Sequence, residues 1–428
     1  MKEIFLESLQ EIRYNKGLKK EGVRMTIGII GGGAAGMAAA LAASEYENAS
    51  VVLLERQARL GKKLSATGNG RCNLSNLKAS TGGYNGDDPH FHEYALEKFS
   101  PAETLEWFSG LGLYTVTEPS GKVYPYSDQA NSVVDVLRFS LERENIRVLT
   151  DFEVLKAKKT GNIFSVTGKD CTLEFDRLII ACGGLAGTKL GGTMAGYKLL
   201  RSFGHRCTKL RPALVQVRTG WGGVSALKGV RANCRAAIYH NGRQQRQSTG
   251  EVQFTEFGLS GPVIYEISRD ACQGAGEWEC TLDFLPDIPA DAFLRMVSRR
   301  RGSGLCAEEL CTGILHNRLG RVLVKEAGIR GNTPIQELTD RQFDDIVSLT
   351  KGFTVSLTEP LGMDAAQVTA GGIVTSEFDP QTMESRLVPG LYACGEVLDV
   401  DGDCGGYNLQ WAWSSGRLAG MSAGKETK

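Results

Sequence analysis

Short apolar runs recur near both ends of the chain and alternate with Ala-rich or polar stretches. Thr26-Ile27-Gly28-Ile29-Ile30 reads as a strand buried in a parallel sheet. Met37 to Glu47, rich in Ala and Leu, reads as the helix that follows. Val51-Val52-Leu53-Leu54 reads as a second strand and stops at Glu55. Asp176 to Ala181 reads as another strand, closing on a glycine turn, and Gly390 to Cys394 as a further one. The stretch from Tyr407 to Gly416 begins a helix. Strands separated by helical stretches predict the α/β class with a parallel sheet.

Between about Lys189 and Pro360 the pattern changes. Val215-Gln216-Val217, Ala236-Ala237-Ile238-Tyr239 and Glu251-Val252-Gln253-Phe254 alternate or are rich in β-formers, and Asn241-Gly242 supplies a hairpin turn. After Pro286 the pattern becomes helical, from Ala290 through Gly328 and again from Pro334 to Leu349. The chain therefore reads as a discontinuous domain over residues 25–190 plus 361–428, interrupted by an insertion over 191–360. The insertion is β-rich over about 191–285 and helical over about 286–360. The first 24 residues are polar and helix-forming, an appended helix or the product of an upstream start, and no function attaches to them.

The junction between the first strand and its helix carries chemistry. In Gly31-Gly32-Gly33-Ala34-Ala35-Gly36, Gly31 allows the tight turn, Gly33 lets backbone approach a pyrophosphate, and Gly36 lets helix and strand pack closely. The helix N-terminus, at Ala34 and Ala35, offers free N–H groups and the positive end of its dipole. Glu55 follows at the end of the second strand, placed to accept ribose hydroxyls and to repel a 2′-phosphate. Strand, glycines, small-residue helix, strand and terminal Glu together predict a bound dinucleotide.

A second loop distinguishes FAD from NAD. Thr67-Gly68-Asn69-Gly70-Arg71-Cys72-Asn73 is glycine-rich, basic and amide-bearing, which suits the polar edge of an isoalloxazine. Arg71 would hold a phosphate or the ring O2. Gly395-Glu396 closes the Gly390–Cys394 strand at the carboxyl end of the sheet, where ligands bind, and Glu396 or Asp401 can accept from ribityl hydroxyls. The helix opening at Tyr407 would turn its N–H groups toward flavin O2 and N1. The Trp411/Trp413 pair reads as core packing.

Composition adds mainly exclusions. Lys+Arg and Asp+Glu each number 49, so no global field favours nucleic acid or an acidic membrane. Arg299-Arg300-Arg301 reads as a solvated helix end. The 11 cysteines are odd in number and lack CxxC spacing, which argues against a zinc site or disulfide framework and for a reducing, cytoplasmic setting. No stretch approaches ~20 apolar residues, so no membrane insertion is expected. His90 and His92 lie near Asp87-Asp88, but the segment reads as a polar loop and no metal is expected.

These residues also carry a resemblance. GGGAAG at 31–36 and RLGKKLSATGNGRCNLSN from Arg59 resemble the N-terminal signature of BaiN/RdsA-type flavoproteins, NAD(P)/FAD-dependent oxidoreductases. The central Phe254-Thr255 and Gly258-Leu259-Ser260-Gly261-Pro262, Thr369-Ala370-Gly371-Gly372-Ile373, the segment from Pro389 to Gly402 and that from Gly405 to Gly416 resemble further motifs of the family. Family members usually show a GSTGDGY-like turn; here Gly191-Gly192-Thr193-Met194-Ala195-Gly196-Tyr197 departs from it at Met194 and Ala195. The resemblance implies an FAD-binding, Rossmann-like three-layer domain with an inserted β-rich domain and helical subdomain. The candidate cofactor contacts are Gly31, Gly33, Ala34, Ala35, Gly36, Glu55 and Arg56 at the first turn. Lys63, Thr67, Gly68, Gly70, Arg71, Cys72 and Asn73 follow in the loop, with Ala181 and Gly183 on the returning strand. Gly395, Glu396, Asp401, Gly406, Asn408 and Leu409 complete the set.

No second dinucleotide fingerprint, CxxC or Fe–S cysteine pattern is present, so NAD(P)H would be a transient electron donor. The resemblance implies hydride passing through flavin N5 to a conjugated C=C bond of a small hydrophobic oxo compound, such as a 3-oxo bile acid. A flavin redox sensor or electron carrier, for which Cys72 would be the feature, and a flavin-dependent amine oxidase are the alternatives. A flavin-dependent tRNA-modifying protein is a third, against which the zero net charge argues. Tyr124, Tyr126, Tyr197 and Tyr407 are all candidate proton donors, and nothing in the sequence selects a catalytic residue or an oligomeric state.

Overall fold

The computed structural model describes residues 25–425, so the leader over residues 1–24 lies outside the described residues. The chain divides into two units, one running to Arg211 and resuming at Val368, the other Pro212–Gln367. The sequence pattern had placed these changes at 190/191 and 360/361.

The first unit is built on five strands: β1 (Met25–Ile30), β2 (Ala49–Leu54), β3 (Ile146–Leu149), β4 (Arg177–Ile180) and β5 (Leu391–Ala393). They lie in the order β5-β4-β1-β2-β3, and every neighbouring pair is parallel. Ile27, Ile29, Val51, Leu53 and Ile179 are fully buried, as expected of strands covered on both faces. Asp176, just before β4, accepts from the Thr26 N–H at 2.7 Å and its hydroxyl at 2.8 Å, locking the start of β1 to its neighbour.

Helix α1 (Ala34–Ala43) begins three residues earlier than its sequence suggests and ends four earlier. Its start is set by Gly33 at the N-cap. Its end comes where Ser44 turns its hydroxyl back to the Leu41 carbonyl at 2.8 Å. Helix α2 (Tyr407–Gly424) packs against α1 with almost no side chain between them. A Cβ on Gly416 would lie 2.4 Å from the Ala35 carbonyl oxygen, and one on Gly420 2.2 Å from that of Ala39. Small residues one turn apart on both helices permit this approach.

The opposite face of β1 meets an antiparallel sheet of Lys156–Thr160, Ile163–Thr167 and Thr172–Phe175. The Phe175 ring occupies the space a Cβ on Gly28 would need, 2.6 Å away. Helices, parallel sheet and antiparallel sheet thus form three layers.

The second unit contains a closed barrel in the order Val217–Thr219, Gly258–Ser260, Arg243–Phe254, Arg231–His240, Trp278–Asp283, Phe353–Pro360. The first of these strands lies two residues beyond the expected Val215–Val217. Asn241 and Gly242 both have positive φ (49° and 76°), the type I′ geometry that an Asn-Gly hairpin favours. Helices Ala290–Ser298, Asn317–Glu326 and Asp340–Lys351 enclose their own core, with Phe293, Leu310, Ile335, Phe343 and Ile346 buried. The arginine run is a clamp within this piece rather than a solvated helix end. Arg300 donates to the carbonyls of Glu309, Leu310 and Thr312, while Arg301 bonds Asp340 and stacks over Phe343 at 4.8 Å.

Candidate functional site

The carboxyl ends of β1, β4 and β5 and the N-termini of α1 and α2 converge on one edge of the first unit. Gly31 has φ +112°, and a Cβ there would lie 2.3 Å from the Ala181 carbonyl oxygen. A Cβ on Gly36 would lie 1.8 Å from the Gly31 oxygen. Gly33, by contrast, faces open space, with nothing within 4 Å. No side chain caps α1 and no acidic residue sits in its first turn. The result is an open ring of N–H groups at the positive end of a helix. Glu55 borders it: one carboxylate oxygen accepts from Gly32 N–H at 2.8 Å, the other from Gln57 N–H at 2.7 Å. Arg56 instead donates to the Gly191 carbonyl at 2.8 Å.

Glu396, at the end of β5, is held by residues distant in sequence. It pairs with Lys63 at 2.8 Å and accepts from the Thr369 N–H at 2.8 Å. The Thr369 hydroxyl in turn accepts from the N–H groups of Leu185 and Ala186, each at 2.9 Å. A Cβ on Gly184 would lie 2.3 Å from Glu396 Oε1, so this position has no room for a side chain. Gly32, Gly184 and Thr369 touch Glu55 or Glu396 but were given no contact role by the sequence. Thr369 lies in a family-like segment, and the Gly183-Gly184 pair was the only other signal. Gly183 itself has φ +68° and open space around it.

The Thr67–Asn73 loop is contorted. Gly68, Asn69, Gly70 and Cys72 all have positive φ, and for Asn69 and Cys72 this is an uncommon backbone state. Cys72 is fully buried, and burial pushes its thiol up to about 12, so it is a protonated packing group at neutral pH. Arg71 bonds Asp128 at 2.5 Å and lies over the Tyr124 ring at 4.1 Å. Asn73 Oδ1 is buried without a hydrogen-bond partner among the described residues. It lies 3.0 Å from where a Cβ on Gly406 would be.

Helix α2 also opens without a capping side chain, on Gly406 at φ +102°. A Cβ there would lie 2.2 Å from the Ser75 carbonyl oxygen. Asn408 pins the preceding turn by accepting from Gly402 N–H at 2.9 Å and donating to its carbonyl at 2.8 Å. Asp401 is buried, Leu409 is half-buried against the core, and Trp411 and Trp413 are fully packed. Tyr197 is fully buried, and burial drives its phenol far above the ordinary range. Tyr126 is exposed. His92 is buried against Tyr84, and no metal-binding cluster occurs among the described residues.

Two uncapped helix ends, an open glycine turn, a bordering carboxylate and an unpartnered buried amide oxygen suit a long polar ligand with phosphates at one end and an amide-edged ring at the other. FAD has that chemistry.

The model of the HI0933-like protein Rossmann domain family matches residues 25–422. The chain belongs to this family. It is 40% identical over 403 residues to the 3-dehydro-bile acid delta(4,6)-reductase of Clostridium scindens, covering 93% of this chain and 98% of that one. It is 31% identical over 390 residues to the ribosomal RNA dihydrouridine synthase of Escherichia coli, covering 90% of this chain and 95% of that one. The BaiN/RdsA-type resemblance is thereby borne out. This HI0933-like protein is an oxidoreductase with a Rossmann-type FAD-binding fold. No described helix is long and apolar enough to cross a membrane.

Proposed function

We propose that the protein reduces a carbon–carbon double bond conjugated to a carbonyl in a hydrophobic oxo compound such as a 3-oxo bile acid, with NAD(P)H as the source of electrons. The observation that carries this reading is the 40% identity to a bile-acid reductase across nearly the whole of both chains. When bound, FAD supplies the hydride. The chain's own residues bind and orient. The open N-terminus of α1 at Gly33 receives the pyrophosphate, and Glu55 holds the adenosine ribose. Lys63 and Glu396 would hold the ribityl hydroxyls. The N-terminus of α2 with Asn73 meets the polar ring edge, where the helix dipole favours negative charge.

Anaerobic mixing tests this. NADH and NADPH are added in turn to the purified yellow protein, and bleaching identifies the donor. Addition of a conjugated dienone steroid then restores the oxidised spectrum. Failure of the steroid to reoxidise the protein would remove this substrate class. The protonated Cys72 gives no support to a thiol-relay carrier.

A second reading is reduction of uridine in ribosomal RNA, the activity named for the 31% identical relative. The net charge of zero conceals an uneven distribution: the sequence contains no acidic residue between Asp176 and Glu251. Within that run, Arg235 and Arg243 of the barrel are exposed and carry no ion pair among the described residues. Salt-sensitive binding to ribosomal RNA, with a steep fall between 50 and 200 mM salt, would favour this reading over the first.

A further inference from the structure

Near the contorted Thr67–Asn73 loop lies a small antiparallel sheet of Ser75–Asn76, Lys122–Pro125 and Thr115–Thr117. In its register, Val116 faces Tyr124 and Thr115 faces Pro125, and the Tyr126 N–H donates to the Tyr114 carbonyl at 2.8 Å. Side chains alternate across a strand, so Tyr114, Val116, Tyr124 and Tyr126 share one face. Val123 and Pro125 are buried on the other. On the shared face Tyr114 and Tyr126 are each 78% exposed and Val116 44%, although large apolar groups gain from leaving water. Tyr124 is covered by the Arg71 guanidinium.

Both candidate cofactor segments border this face. Arg71 comes from the first. The second begins at Gly405, where a Cβ would meet Lys122 Cε at 2.8 Å. The strand therefore runs from the opening of α2, past Arg71, to the tyrosine pair. At about 3.3 Å per residue it covers about 13 Å, the scale of a fused polycyclic ring system. Arg71 is neutralised by Asp128 at 2.5 Å and Glu118 at 3.7 Å. Those two carboxylates disfavour a phosphate backbone here and favour an uncharged ring.

We infer that Tyr114, Val116 and Tyr126 form the platform that selects the substrate, a flat apolar ring system bearing a conjugated carbonyl. This inference rests on the proposed reductase function. Exposed aromatic rings with a neighbouring guanidinium offer stacking surface at little ordering cost.

The test uses the FAD-loaded enzyme with Tyr114→Ser and Tyr126→Ser combined, against the Tyr114→Phe, Tyr126→Phe pair. The probe is a 3-oxo-4,6-diene steroid. KM rises tenfold or more in the Ser pair, with kcat within twofold. The Phe pair stays within twofold of wild type. FAD content and bleaching by NAD(P)H are unchanged in both. A KM within twofold of wild type in the Ser pair overturns the platform. If the wild type binds the dienone in equilibrium dialysis but never turns it over, the reductase reading falls alone, and the dialysis Kd replaces KM as the measure of the face. Retained dienone binding with lost ribosomal RNA binding in the Ser pair would also overturn the platform.

Discussion

The two helices that open on the candidate cofactor edge both start from glycine, without a capping side chain and without an acidic first turn, yet they meet their surroundings differently. At Gly33 the space around the backbone is empty. At Gly406 it is filled by the Ser75 carbonyl, and the glycine is obligatory on steric grounds alone. The contrast separates two reasons for a glycine beside a ligand. One keeps a path clear for an incoming group; the other lets the polypeptide pass close to itself. Both look alike in sequence.

The comparison makes ordered predictions. Gly36→Ala has the largest effect, because its methyl would sit inside the Gly31 carbonyl; the protein loses about 3 kcal/mol or more by chemical denaturation and is purified colourless. Gly406→Ala follows, with about 2–3 kcal/mol lost from the left-handed backbone and the clash together, and yellow colour reduced in proportion to the folded fraction. Gly33→Ala changes stability by only about 0.5 kcal/mol, yet weakens FAD retention about tenfold, measured as the dissociation constant after reconstitution. An Ala at Gly33 that retained flavin like the wild type would erase the distinction between the two glycines.

Acid provides the mildest probe, because it acts away from both helix ends. His205 is buried, with Nδ1 3.0 Å from Glu377 and Nε2 2.9 Å from the Ser385 hydroxyl. Burial lowers its pKa, against the opposing pull of Glu377. The unfolded chain therefore takes up the proton more readily. The stability from neutral His205 is complete above the unfolded value of roughly 6.5 and is lost as pH falls through that value toward the lowered folded one. His205→Gln flattens the pH dependence of the unfolding midpoint over that window, equally in the wild-type and Gly33→Ala backgrounds.

The legible parts of the molecule were those written in consecutive residues. The run from Thr26 to Glu55 spells out strand, turn, helix and strand, because periodicity and glycine spacing there lie within consecutive residues, as in Gly36, whose missing side chain makes room for the Gly31 carbonyl. The Asn241-Gly242 turn was legible for the same reason. Less visible were contacts between distant segments. Nothing local to Gly184 announces that Glu396 lies against it, and nothing in Arg71 says that it pairs with Asp128 and lies over Tyr124. The end of α1 was misplaced because Ser44 terminates it through a hydrogen bond that composition does not reveal. The net charge concealed the acid-free run, since an average over the chain hides where cations gather.

The near-contact of α1 with α2 also governs when the binding edge can exist. The two helices come from opposite ends of the described chain, and each presents backbone to the other at Ala35, Ala39, Gly416 and Gly420. During synthesis the fingerprint emerges first, with its alanine face bare and its partner still untranslated. On the proposed reading, capture of the flavin therefore waits until the segment from Tyr407 has left the ribosome. A nascent chain halted before Tyr407 would carry an intact glycine signature that has no second wall to close against.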